Sequence, residues 1–457
     1  MTTPVKFAAH TNRDLFRERT LPGPASSKLL IMQDQQESNA RTYPRHLPFG
    51  IASASGSLVT DVDGNQYVDL LSGAGVLALG HGHPELVAAA RHQLGVLTHG
   101  LDMPTPSKAE FTGKLLSRIP GYSSDIANWK LHFCGPTGAN AVDAAVKLAR
   151  IVTGRHNIVS FQGGFHGTTH LGMGLTGLLS QRAGIAGIGD GVTFLPYSDD
   201  RNYPGQGEDG VARHIALIET MLADPNGGIA PPAAIIVEIV QGEGGVVIGE
   251  PAFITALADI AKRIGALLIV DEIQTGCGRT GRFFAYEHHG ITPDIICLSK
   301  ALSGLGTPAA LIAYRTEHDH WQPGTHTGTF RGNQLAFASG NVFLDIIDRD
   351  EILTHVQSIE QVISQTLAPL QQFRRVHEVR GVGAMWGVEL VDTTGLRNSG
   401  GALALAVQKA CVERGIITEV GGRNDSVLRL LPPLNIELDL LSEACTIIAQ
   451  AIERLTA

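Results

Sequence analysis

Three short apolar runs each end in a charged side chain of a different kind. AAIIV (233–237) runs into Glu238, ALLIV (266–270) into Asp271, and DIICLS (294–299) into Lys300. Ligands of an open parallel sheet bind outside the carboxyl ends of its strands. A charge at such a position is costly unless it is paired or used. Each of the three, taken alone, reads more readily as a solvated strand end. Together, on successive strands, they point to a site. A lysine at the edge of a buried sheet has its pKa lowered and serves as a Schiff-base amine. An aspartate beside it holds a pyridine nitrogen protonated. That pairing is the pattern of a pyridoxal 5′-phosphate (PLP) site, in which the protonated ring withdraws electrons from a carbanion.

A phosphate needs donors, and GPTGANAV (135–142) offers them. This turn opens a helix whose first N–H groups are free and whose dipole favours an anion. Gly138 and Ala139 are the candidate phosphate donors, although the same residues also suit an ordinary helix start.

The elements that must hold these groups are legible in outline. Residues 139–150 (ANAVDAAVKLAR) read as an amphipathic helix. HNIVSF, VTFLPY, AAIIVEIV, ALLIVDEI and PDIICLS read as strands covered on both faces. FITALADIAKRIG is a helix closed by Gly265. The strand–helix–strand order gives βαβ units and a parallel sheet. Beyond about residue 345 the pattern changes to longer helices at 351–370 and 440–456, with GAMWGVEL and SVLRLLPPL between them. The expected fold is therefore α/β, a large unit with a mostly parallel sheet flanked by helices, plus a smaller α+β unit. Residues 1–40 read as an irregular arm, with Pro22, Gly23 and Pro24 breaking any helix. The expected division is an arm and part of the small domain at 1–74, the large domain at 75–344, and the C-terminal small domain at 345–457.

Composition narrows the class. The chain has 457 residues, 35 Lys+Arg against 44 Asp+Glu, and a net charge of −9. Only 17% of residues are charged, which leaves ample material for a large core. Mild acidity gives no basic footprint for nucleic acid or an anionic membrane. The five cysteines form no CxxC pair and read as reduced thiols. No apolar core of signal-peptide length lies in the first twenty residues, and no run is long enough to span a membrane. The expected location is the cytoplasm.

Several motifs occur together and in order: FHG (165–167), EIVQGEGG (238–245), DEIQTGCGRTG (271–281), SKALSGLG (299–306), GTFRGN (328–333), VRGVGAMWGVEL (379–390) and RLLPPL (429–434). From about residue 40 to the end, the chain resembles the class III, or ω-type, PLP-dependent aminotransferases of fold type I. The resemblance implies that Lys300 carries the cofactor and shuttles a proton, and that Asp271 pairs with the pyridinium nitrogen. Gln274 contacts the ring hydroxyl and Phe165 stacks on the ring. Gly138 and Ala139 hold the phosphate, and Glu238 belongs to the cofactor-binding set. Thr329 reaches the phosphate of a neighbouring subunit, which implies a homodimer with shared sites, with pairing into tetramers left open. Glu243 pairs with Arg429 as a switch that masks and releases a carboxylate-binding guanidinium. The implied partners are a small-molecule amino donor and a 2-oxo acid acceptor.

ESNARTYPR (37–45), THGLDM (98–103), SGAGVLALGHGHP (72–84) and GRNDSVLRLLPPL (422–434) resemble the diaminobutyrate–2-oxoglutarate subgroup. That resemblance implies transfer of the terminal amine of 2,4-diaminobutyrate to 2-oxoglutarate, giving aspartate semialdehyde and glutamate. Thr168 stands where many ω-aminotransferases have Arg, which weakens an ornithine or 4-aminobutyrate alternative. An aminomutase or epimerase of the same fold stays open. Arg41, Tyr43 and Arg45 are candidates for the substrate's α-carboxylate, or else an arm packing on a partner subunit.

Other patterns carry less. GCGRTG (276–281) fits GxGxxG but lacks the helix a dinucleotide site requires. His166 and His170, with the HGH and HDH clusters, lack a converging third ligand, so no metal is expected. Phe330, Trp321 and Trp386 read as packing residues.

Overall fold

In the computed structural model, the structure describes residues 15–197 and 207–456. The basic and acidic residues Lys6, Arg13 and Asp14 lie outside them.

A seven-stranded sheet forms the centre. Its strands lie in the order Trp129–Phe133, Leu311–Arg315, Ile295–Leu298, Leu267–Asp271, Ala234–Val237, Ile158–Phe161, Val192–Leu195. Leu311–Arg315 runs antiparallel to both its neighbours and the remaining pairs are parallel. The central strands are buried along their whole length, which explains why their sequences are continuous apolar runs rather than alternating ones.

Leu267–Asp271 lies between Ala234–Val237 and Ile295–Leu298, with Val270 opposite Val237 and Asp271 opposite Cys297. The carboxyl ends that release Glu238, Asp271 and Lys300 are therefore neighbours. The helix Gly138–Thr153 packs Ala141, Val142, Ala145 and Leu148 into the core and ends at a left-handed Gly154. Pro251–Ile264 starts on a proline and stops at Gly265, whose φ is +65°.

Two smaller sheets flank this core. Val376–Val382, Met385–Leu390, Val427–Leu430 and Glu419–Gly421 form one, in that order and antiparallel. Ile51–Ser55, Leu58–Asp61 and Gln66–Asp69 form the other and close on Ile416–Ile417. Residues near both ends of the chain thus share one sheet. A hairpin of Val240–Gln241 and Val247–Ile248 holds the QGEGG loop.

Two expectations need correction. The arm is not wholly irregular, because Pro24–Gln36 is a helix. Pro24 stands in its first turn, where a missing N–H costs nothing, so the proline starts the helix instead of breaking it. Phe330 is 68% exposed and packs within its own chain only in part, edge-on to the His99 ring at 6.1 Å, whereas Trp386 is buried. All five cysteines are buried and free.

Candidate active site

Asp271 ends its strand with its side chain 4% exposed. Its Oδ2 lies 2.8 Å from His166 Nδ1, and its Oδ1 accepts the Ile273 N–H at 3.1 Å. Burial alone would lower the His166 pKa, but the hydrogen bond and charge of Asp271 raise it. In the sequence, His166 is marked only by its place in the FHG motif. Its partner is 105 residues away, so only the fold brings the two together.

Glu238 sits on the adjacent strand end. Its Oε1 accepts the Phe165 N–H at 2.8 Å and its Oε2 accepts the Gly242 N–H at 3.0 Å. Both oxygens are thus committed to backbone, and Glu238 pins the Phe165 loop to the Glu243 loop. Burial raises its pKa to about 7, with Asp271 adding repulsion.

Lys300 opens a one-turn 3-10 helix after Ile295–Leu298 at φ +33°. A lysine there is strained by about 1–3 kcal/mol. Burial lowers its pKa, while Glu243, Glu419 and Glu238 oppose that shift. Its amine therefore lies within electrostatic reach of the carboxylates around Arg429.

Arg429 is 1% exposed and forms a two-pronged pair with Glu243, at 3.1 Å from Nη1 to Oε1 and 2.9 Å from Nη2 to Oε2. Nη2 also donates to Glu419 Oε2 at 2.5 Å. Glu419 stands directly opposite Arg429 on the neighbouring antiparallel strand, so the two side chains share a face. Burial opposes the charge of Glu243, but Arg429 and Lys300 hold its pKa below the ordinary value. Burial raises Glu419 despite Arg429. The Glu243 loop is fixed from behind by Arg380, which donates to Gly245 O at 2.5 Å and Val246 O at 2.9 Å.

Gln274 Nε2 reaches Glu243 Oε1 at 3.4 Å, and its own Oε1 is buried without a partner. At the helix start, Thr137 caps Asn140. The Gly138 and Ala139 N–H groups take no acceptor among the described residues. Gly167 closes on Ala139, where an added Cβ would lie 2.5 Å from the alanine Cβ. The unpartnered Gln274 Oε1 and the open N–H groups of the turn are an acceptor and donors of the kind that a hydroxyl-bearing, phosphorylated ring would require. His132, Cys134 and His326 also converge within 4.8 Å at the foot of this turn. Burial lowers both imidazole pKa values, and His326 Nε2 lies 3.2 Å from Asn140 Oδ1.

The remaining candidates divide. Tyr43 is 46% exposed yet within electrostatic reach of Glu419 and Glu243, and its partial burial together with those carboxylates raises its pKa. Arg41 and Arg45 are not brought there. Arg41 donates to the carbonyls of Gln33, Glu37 and Ser38, and Arg45 to Arg41 O and Asn39. The Arg41 guanidinium ties down the C-terminus of the arm helix and that of Arg45 the segment that follows it, instead of facing Arg429. Phe165 is half-buried on the loop after Ile158–Phe161. Thr329 is exposed on a short turn, and the preceding Gly328 packs on Gly135 of the same chain.

The pattern recorded for aminotransferase class III matches residues 40–452. The chain belongs to the class III aminotransferases. It is 43% identical to the diaminobutyrate–2-oxoglutarate aminotransferase of Rhizobium meliloti (strain 1021), with 99% of each chain covered. It is also 43% identical to the enzyme of that name from Haemophilus influenzae (strain ATCC 51907 / DSM 11121 / KW20 / Rd), covering 90% of this chain and 92% of that one. Among solved structures, an aminotransferase from Bacillus anthracis superposes with a TM-score of 0.85 at 25% identity, covering 95% of this chain and all of the other. An aminotransferase of this class takes an amino donor and a 2-oxo acid. Among the described residues, no helix of this aminotransferase is long and apolar enough to cross a membrane.

Proposed function

We propose that this aminotransferase moves the terminal amine of 2,4-diaminobutyrate to 2-oxoglutarate, reversibly and in two half-reactions, with PLP as cofactor. The carrying observation is that Lys300 and Asp271 leave adjacent strands of one sheet, in a chain that also has a Glu243–Arg429 pair with a buried guanidinium. The near-full-length relatives support the choice of donor.

Bound PLP supplies an aldehyde that condenses with amines and a ring that withdraws electrons. Gly138 and Ala139 hold its phosphate, and Gln274 meets the ring hydroxyl. Asp271, oriented by His166, keeps the ring nitrogen protonated. Phe165 covers one face of the ring, and Glu238 fixes the backbone that carries Phe165. Lys300 would hold the cofactor through its aldehyde carbon. Its amine would serve as the proton carrier for the donor carbon that bears the reacting nitrogen. Burial favours the neutral amine this proton transfer needs. Glu243 holds Arg429 while the donor is bound, and releases it to the second carboxylate of the dicarboxylic oxo acid.

We assign a homodimer. Leu94, Val96, Leu97, Leu101, Met103 and Phe330 are all exposed. They lie on segments joined by a His99–Asn333 bridge and a Gly100–Gly332 hydrogen bond of 3.0 Å. An apolar patch of this kind marks a contact surface. It would carry Thr329 to a neighbouring subunit's phosphate. Five free buried cysteines suit a reducing compartment, the cytoplasm.

The test is a half-reaction screen. The PLP form is mixed with 2,4-diaminobutyrate, ornithine, lysine, 4-aminobutyrate or β-alanine, and its conversion to the pyridoxamine form is followed by absorbance. Diaminobutyrate should convert fastest; faster conversion with ornithine or 4-aminobutyrate would overturn the assignment.

A further inference from the structure

Two imidazoles and a thiol meet where the edge strand Trp129–Phe133 runs into the phosphate turn. The Cys134 N–H donates to Ala310 O at 2.9 Å and continues the ladder by one residue, so His132 and Cys134 leave the strand on one face. His326 arrives on the segment ahead of Thr329, which is held on both sides. Lys147 Nζ donates to Thr325 O at 3.2 Å, and Arg331 Nη1 to His326 O at 3.2 Å. One N or S atom from each of His132, Cys134 and His326 lies within 4.8 Å of the other two. The two imidazoles meet edge to face with centroids 5.4 Å apart, and Trp321 stacks on His132 at 5.2 Å.

His132 Nε2 and His326 Nδ1 are buried without a hydrogen-bond partner among the described residues. A buried polar atom left unpaired costs about 1–3 kcal/mol, so two together call for a ligand. The other nitrogen of His326, Nε2, lies 3.2 Å from Asn140 Oδ1, which also accepts the Gly135 N–H at 2.7 Å. That oxygen fixes the proton on Nε2 and leaves the Nδ1 lone pair free. A metal-ligating histidine is held in the same way, its remote N–H on a carbonyl. Burial keeps both rings neutral, the form that offers a lone pair.

We propose that His132, Cys134 and His326 bind one thiophilic divalent ion of the Zn²⁺ type and so tie the Thr329 segment to the phosphate turn. Two imidazoles and a thiolate suit tetrahedral zinc or cobalt with solvent in the fourth position, and the set has no carboxylate to attract magnesium or calcium. Burial pushes the Cys134 thiol up to about 12, so the ion must displace that proton to solvent. Lys147 and Arg331 are the cations within reach of the rings, and Asp319 is the anion. Lys147 is committed to Thr325 O and Arg331 to Asp102, and the new thiolate charge offsets what is left. The presence or absence of this ion leaves the aminotransferase reading unchanged.

The test titrates untagged holoenzyme, first stripped of metal with a chelator, with zinc, cobalt and magnesium chlorides. Calorimetry should show one equivalent of zinc per chain and no magnesium. Cobalt should develop the visible bands of a tetrahedral ion, and zinc should raise the melting temperature. His132→Gln, Cys134→Ser and His326→Gln should each weaken zinc at least tenfold and abolish that rise. Cys134→Ser should also shift the cobalt bands through loss of sulfur ligation. Asn140→Ala, which keeps all three ligands, should weaken zinc by about 10–100-fold. Should a variant fail to fold, the wild-type cobalt spectrum and the zinc–magnesium comparison still decide. No saturable zinc binding, octahedral cobalt bands, or an affinity unchanged in Cys134→Ser and His326→Gln would overturn the proposal.

Discussion

Lys300 is held at a positive φ that lysine rarely adopts, and strain of that sort is retained where a side chain must be aimed. Lys300→Ala should cut turnover by roughly 10²–10⁴-fold, the range of a positioned proton-transfer group. Single-turnover kinetics on the reconstituted variant would check it, and near-normal rates would remove Lys300 from the chemistry. Glu238 carries a second expectation. Its folded pKa of about 7 lies above its ordinary 4.5 because of burial. The folded chain thus binds that proton more tightly than the unfolded chain. The contribution is full below about pH 4.5 and is lost as pH rises through about 7. Glu238→Gln should flatten the fall of melting temperature across that window; an unchanged slope would count against it. Lys300 and Asp271 were legible because each follows an apolar strand and needs no partner to be noticed. His166, Glu419 and the true station of Arg41 were not, since each is defined by a contact that only folding or a local helix end creates.

At the scale of elements, the hairpin of Val240–Gln241 and Val247–Ile248 sets how Glu243 meets Arg429. A Cβ on Gly242 would collide with Gln274 Oε1. Gly242→Ala should displace Gln274 and lower kcat/KM for glutamate more than tenfold, at a stability cost of about 1–3 kcal/mol. Paired half-reaction and thermal-melt measurements would check this; full activity with an unchanged melt would show the loop to be pliable. The strands and the helices Gly138–Thr153 and Pro251–Ile264 were readable from period, composition and terminal glycines. The arm helix was misread because the proline signal depends on position: it stops a helix from inside and starts one from the first turn. Strand order was not readable, because the closure of Gln66–Asp69 on Ile416–Ile417 joins segments almost 350 residues apart.

For the whole molecule, the exposed patch that includes Leu101 and Phe330 is the feature a single chain does not explain. Leu101→Asp combined with Phe330→Asp should shift sedimentation from dimer to monomer and reduce turnover at least tenfold, through loss of shared phosphate contacts. A wild-type monomer of full activity would contradict the shared-site arrangement. Beneath all of these lies the claim that Lys300 and Asp271 serve one cofactor. Borohydride reduction of the PLP-loaded protein, then proteolysis and mass spectrometry, tests it most directly. The expected result is the phosphopyridoxyl mass on the peptide containing Lys300 and on no other. Cofactor mass on a different lysine, or an unlabelled Lys300 in protein that binds PLP, would contradict it.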